Sequence, residues 1–163
     1  AAAKNRQLST GQNVFDRLLS GGDEIHYRKR FIGIGNINQM MEVIATIKSK
    51  KPDFAVLSGD DALTLPLISV GGDGIISVVS NLAPAAVVEM AHKALEGDFD
   101  AARKAHYKLL PFFKAAFVDG NPTSIKYAMK LKGLPSGGMR LPLVEVNDKA
   151  KEIIKKALEE CNL

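Results

Sequence analysis

Asp60 and Asp61, in the stretch "LSGDDALT", form a carboxylate pair of the kind that does chemistry. Paired carboxylates serve general acid–base catalysis or hold Mg²⁺. Adjacent residues do not converge easily on one ion, however, and an aspartate ahead of an apolar helical run is a standard N-cap. The structural reading therefore outweighs the catalytic one. His26, His92 and His106 stand far apart with no ligand cluster around any of them, and they read as connector, surface or packed residues. Cys161 is the single cysteine, which excludes an internal disulfide and a cysteine-based metal site. No metal and no cofactor is expected. The glycines of "GIGN" (33–36) do not complete a Gly-x-Gly-x-x-Gly fingerprint, because residue 38 is Asn. "GGDG" (71–74) precedes an apolar run rather than following one, so it reads as a turn and not a phosphate loop. Lys126, in "NPTSIK", reads as structural.

The elements that would position these groups follow a rhythm from residue 31 onward: apolar strand, small polar turn, amphipathic helix, glycine, next strand. The first unit is a strand at Phe31–Ile34 and a helix from about Asn36 to Lys50. Its Ile37, Met40, Met41, Ile44 and Ile47 share one helical face. Pro52 stops it. The second strand is expected at Phe54–Leu57, followed by a helix over 61–70 that ends at Gly71-Gly72. The third is expected over Gly74–Ser80, with Pro84 opening the next helix through Leu95. Beyond Gly97 the strands cease. Asp98 should cap a helix over 99–118 that Pro111 kinks. Two further helices follow, in "NPTSIKYAMKLKGL" and "NDKAKEIIKKALEECN", the latter capped by Asn147 or Asp148. Phe112, Phe113, Phe117 and Met129 read as helix packing. "GGMRLPLVEV" reads as an extended link.

Three consecutive β/α units imply right-handed crossovers and a parallel sheet, in an α/β fold matching part of an eight-fold barrel or a doubly wound sheet. The division expected is a basic N-terminal segment over 1–30, a partial β/α barrel over 31–96 and a helical domain over 97–163. The net charge of +4 is concentrated at the start: residues 1–30 hold six basic and three acidic groups. The run "HYRKR" (26–30) is short and unrepeated, so it reads as a solvated connector and no nucleic-acid partner is expected. Hydrophobic residues make up 46 % and no apolar run is long enough to span a bilayer, so the expectation is a cytoplasmic protein with no membrane partner.

Five motifs in this order, "FAVLSGDDALTLPL", "GGDGIISVVSN", "LEGDFDAARKAHYKLLP", "FVDGNPTSIKYAMKLKGL" and "RLPLVEV", closely resemble the C-terminal part of the dihydrodipicolinate synthase family. These are pyruvate-dependent class I aldolases, with N-acetylneuraminate lyase a relative. The resemblance runs from Phe31 to Leu163, with a weaker echo of the family's Gly-Arg-Thr-Gly-x-Asn loop in "STGQN" (9–13). It implies strands six to eight of a (β/α)8 barrel followed by the family's C-terminal helical domain, with the N-terminal half-barrel missing. It also implies a lyase that condenses pyruvate with aspartate semialdehyde in lysine biosynthesis, in a homo-oligomer.

The family's mechanism begins on a lysine at the end of the sixth strand, in Gly-Ile-Lys-Glu-Ala-(Ser/Thr)-Gly-Asn. Its Schiff base with pyruvate is an electron sink from which an enamine forms. In "FIGIGNINQ" Gly33-Ile34 is followed at once by Gly35-Asn36, and the four residues that would carry the lysine are absent. Lys48 and Lys50 lie at the far end of the next helix, about 20 Å away. The arginine of the Gly-Arg-Thr-Gly loop would align with Ser9, and Arg6 is out of register. The threonine pair and the proton-relay tyrosines belong to the missing half. By resemblance, Gly59, Ile76 and Asn81 line the pyruvate pocket, and none of them can start the reaction. The expectation is therefore a chain inactive alone. The alternative is a catalytically dead remnant or truncated fragment that acts as an oligomerisation module.

Overall fold

The computed structural model describes residues 30–33 and 35–163. Three strands, β1 (Arg30–Gly33), β2 (Ala55–Ser58) and β3 (Gly74–Ile75), form one parallel sheet in chain order. Gly33 stands opposite Ser58, and Ser58 opposite Ile75. Parallel neighbours need crossovers, supplied here by helix α1 (Ile37–Val43) and helix α2 (Thr64–Ser69).

α1 begins where Asn36 accepts the Gln39 N–H at 3.1 Å on its side-chain oxygen. The helix was expected to run to Lys50. Instead it passes into a π-type turn at Ile44–Lys48, with Ser49 N donating to Ile44 O at 3.2 Å. The hydroxyls of Thr46 and Ser49 donate to the carbonyls of Glu42 and Ala45, each at 2.6 Å, and such back-bonding loosens an α-helical ladder. Met40, Val43 and Ile47 nevertheless stay on one face and bury themselves against Phe54, Val56 and Leu67. Phe54 thus belongs to this core rather than to β2, which starts one residue later than expected; its N–H turns back to Lys51 O at 2.9 Å.

The expected helix over 61–70 is split. Asp60 caps a 3-10 turn at Asp61–Leu63, accepting from Ala62 N at 2.9 Å, and α2 follows. Pro66 has no N–H to give back to Ala62, which favours the tighter first turn. α2 closes as the paired glycines promised. Gly71, at φ +100°, donates to Ile68 O at 3.0 Å and Gly72 to Leu67 O at 2.9 Å, both bonds of a Schellman motif.

The third strand departs furthest from expectation, ending at Ile75 rather than Ser80. Ile76 still donates to Ser58 O at 2.8 Å, and then the chain turns into a 3-10 segment at Val79–Asn81. The cause is the buried carboxylate of Asp61, which takes the N–H groups of Val78 and Val79 out of any ladder.

Four helices complete the chain: α3 (Pro84–Leu95), α4 (Phe99–Ala115), α5 (Thr123–Leu131) and α6 (Asp148–Cys161). Asp98 caps α4 through Ala101 N at 3.1 Å and Asn147 caps α6 through Ala150 N at 2.9 Å. α4 stops at Ala115, short of the expected Val118, and stays one helix across Pro111. The largest core joins Val87 and Met90 of α3 to Leu109, Phe112 and Phe113 of α4 and to Ile154 and Leu158 of α6. Met129 packs against it, whereas Phe117, expected inside, is exposed. A third cluster, Leu65, Ile68, Ala91, Ala94 and Ala102, ties α2 to α3 and α4. Among the described residues β1 and β3 each pair with β2 alone, so each keeps one open edge.

Candidate active site

The C-terminal ends of parallel strands are where such folds do chemistry, because the loops there are free to vary over a rigid sheet. Here Gly59 N donates to Gly33 O at 2.8 Å and Ile76 N to Ser58 O at 2.8 Å, extending the ladder one step past β2 and β3. These bonds bring Gly59 and Ile76 to the same end of the sheet, on either side of Ser58. Ser58 is fully buried, with its hydroxyl donating to Asp60 O at 2.7 Å. Ile76 leaves 49 % of its surface open at this end. Asn81 is not at a strand end, as the sequence suggested. It sits on the 3-10 segment after β3, donating from Nδ2 to Val78 O at 2.9 Å.

Asp61 supports this end from below. It is completely buried and accepts from Ser77 Oγ at 2.5 Å, Val78 N at 3.0 Å and Val79 N at 3.4 Å. Burial pushes its carboxyl above the usual aspartate range, against the pull of those hydrogen bonds. The Asp60–Asp61 pair is thereby divided. One residue caps a helical turn and the other shapes the β3 loop, and the two do not face a common ion. Reading "DD" as caps caught the first role and missed the second. The signal available was Ser77, a hydroxyl interrupting an otherwise apolar run.

The Lys48 amine does not reach this end. Lys48 Nζ donates to Gly71 O at 2.8 Å and to Asp73 Oδ1 at 2.6 Å, while Asp73 Oδ2 accepts from Val56 N at 2.8 Å. Asp73 precedes β3 and Val56 lies near the start of β2, so Lys48 is anchored at the opposite end of the sheet. The "GGDG" turn is the other half of that anchor. Ile34, and with it the point where the family's lysine would stand, lies outside the described residues, as do Arg6, "STGQN" with Ser9, and His26. His92 is exposed. His106 is buried beside Tyr107 and Phe113, its Nδ1 has no partner, and burial lowers its pKa. Among the described residues no cluster of three metal-ligating side chains occurs, and no helix is long and apolar enough to cross a membrane.

A three-stranded parallel β/α array followed by an all-helical domain is the architecture of part of a (β/α)8 barrel with a C-terminal helical domain. Comparison with known proteins names the family. The model of the dihydrodipicolinate synthetase family matches residues 25–161, and the chain belongs to that family. The 4-hydroxy-tetrahydrodipicolinate synthase of Protochlamydia amoebophila is 46 % identical over 160 residues, covering 96 % of this chain and 52 % of that protein. The enzyme of the same name from Methanocaldococcus jannaschii is 46 % identical over 128 residues, 78 % of this chain and 43 % of that one. The solved structure of the 4-hydroxy-tetrahydrodipicolinate synthase of Methylacidiphilum fumariolicum superposes with a TM-score of 0.84 at 32 % identity, covering 94 % of this chain and 49 % of its own. The chain spans about half the length of the relatives it matches.

Proposed function

We propose that this chain carries the sixth to eighth β/α units and the helical domain of a 4-hydroxy-tetrahydrodipicolinate synthase-type lyase, and that it forms no Schiff base by itself. In the whole enzyme a lysine amine attacks the pyruvate carbonyl and water leaves. The iminium then loses a C3 proton, and the enamine attacks the aldehyde of aspartate semialdehyde. Gly59, Ile76 and Asn81 would border the pyruvate here.

The observation that carries this reading is the join between β1 and α1. Gly33 is still in the ladder and Asn36 already caps the helix, so only Ile34 and Gly35 connect them. Neither bears an amine. Incubation with pyruvate, borohydride reduction and mass spectrometry test it. The expected result is an unchanged mass with a folded circular-dichroism spectrum. A stable gain confined to one lysine would overturn it. Inserting Lys-Glu-Ala-Ser between Ile34 and Gly35 supplies the complementary arm, in which an adduct on the new lysine is expected.

A second reading, an assembly module, is favoured by the edges of β1 and β3 that no strand covers among the described residues and by the exposure of Ile76. Sedimentation should then find a homo-oligomer, and a monomer at all concentrations would exclude it.

A further inference from the structure

A cleft of about 260 Å³ lies far along the chain from the sheet, between α5, α6 and the loop after α5. Three lysines line it: Lys126 and Lys130, one turn apart on α5, and Lys151 on α6. Lys151 is already neutralised, bonded to Asp148 at 2.8 Å and attracted by Glu145 on the cleft wall. Lys126 is positioned but not neutralised. Its Nζ donates to Gly138 O at 2.7 Å, a carbonyl that uses one of three ammonium protons. Lys130 has no acidic or hydrogen-bonding partner among the described residues.

The loop adds donors. Gly137 takes φ +61°, and the N–H groups of Gly137, Gly138 and Met139 meet no acceptor among the described residues. Successive free amides around a left-handed residue form a concavity that favours anions. Tyr127 and Val146 supply apolar wall beside this polar end.

We infer that this cleft binds a small organic oxyanion, a phosphate or carboxylate group held by Lys126, Lys130 and the Ser136–Met139 loop with an apolar portion against Tyr127. The inference does not depend on the aldolase reading. Two charges that are not ion-paired to a carboxylate are what such a ligand would neutralise, and the apolar wall suits a ligand larger than a free ion.

The test is titration of the full chain with inorganic phosphate, phenyl phosphate and benzoate, followed by amide NMR shifts of Gly137 and Gly138 and by Tyr127 fluorescence. Saturable shifts at both glycines are expected, with phenyl phosphate binding more tightly than inorganic phosphate. Lys130→Ala should weaken binding about threefold to fivefold, the scale of one partly exposed charge pair, and Lys130→Glu should weaken it further. Lys132→Ala, one residue beyond α5, should leave it unchanged. Lys130 is exposed, so these variants keep the fold. Linear, non-saturating shifts, or equal effects of Lys130→Ala and Lys132→Ala, would overturn the site.

Discussion

Replacing Asp61 by alanine should both destabilise the protein and loosen the loop that follows β3. The carboxylate accepts two well-formed hydrogen bonds, from Ser77 Oγ at 2.5 Å and Val78 N at 3.0 Å, and a long one from Val79 N at 3.4 Å. Hydrogen bonds to a charged acceptor contribute about 1.5–3 kcal/mol each, and a buried N–H left unpaired costs a similar amount. The two good bonds therefore represent about 3–6 kcal/mol. Part of this is offset, because the variant no longer buries a carboxylate whose raised pKa shows that the site disfavours its charge. A net loss of about 2–3 kcal/mol remains, or a fall in Tm of about 5–10 °C for a chain of this length. Urea unfolding followed by circular dichroism at neutral pH measures it. Asp61→Asn keeps one acceptor oxygen and should lose less than half as much.

The pH dependence gives an independent check. The folded pKa of Asp61 lies above its unfolded value near 3.8, so between the two the folded state binds more protons. Its contribution is therefore most favourable below the unfolded pKa and declines as pH rises through the folded one. Asp61→Asn should remove that decline. A loss under about 0.5 kcal/mol for Asp61→Ala, with the amides of Val78 and Val79 unshifted in NMR, would refute the claim that this carboxylate ends β3.

Gly72→Ala should cost about 1–3 kcal/mol in urea unfolding, because a Cβ there would stand 2.4 Å from Leu67 Cγ and 2.9 Å from Leu67 O. Asn147→Ala should cost about 1 kcal/mol and fray the start of α6, read from hydrogen exchange at Ala150, whose N–H loses its cap. His106 has a folded pKa below its unfolded value, so the stability of its neutral form is present above about pH 6.5 and lost as pH falls toward the folded pKa. His106→Phe should flatten that fall in thermal melts, and an unchanged pH profile would show that another group carries it.

Much of the fold was legible because local rules and tertiary demands agree along most of this chain. Pro84, Asp98 and Asn147 announced three helix starts, since each satisfies or dispenses with an orphan N–H at that position. Gly71-Gly72 announced a helix end, since only glycine takes φ +100° without strain. The sheet-end placement of Gly59 and Ile76 was legible, whereas Asn81 lies on a 3-10 segment rather than at a strand end. An apolar run such as "GIISVVS" satisfies strand periodicity all the way to Ser80, and nothing local marks where pairing stops.

The sequence by itself determined the order of strands and helices, the parallel sheet and the family, because each depends on residue type at a given position along the chain. Only the tertiary structure decided where β3 ends, that Lys48 is tied to Asp73 at the wrong end of the sheet, and that Asp60 and Asp61 part company. Those outcomes depend on which groups distant in sequence arrive together: Asp61 meets amides at Val78 and Val79, and Lys48 meets a carboxylate at Asp73. A buried carboxylate must find donors and an ammonium an acceptor, and the partner each finds is set by packing rather than by its neighbours in the chain.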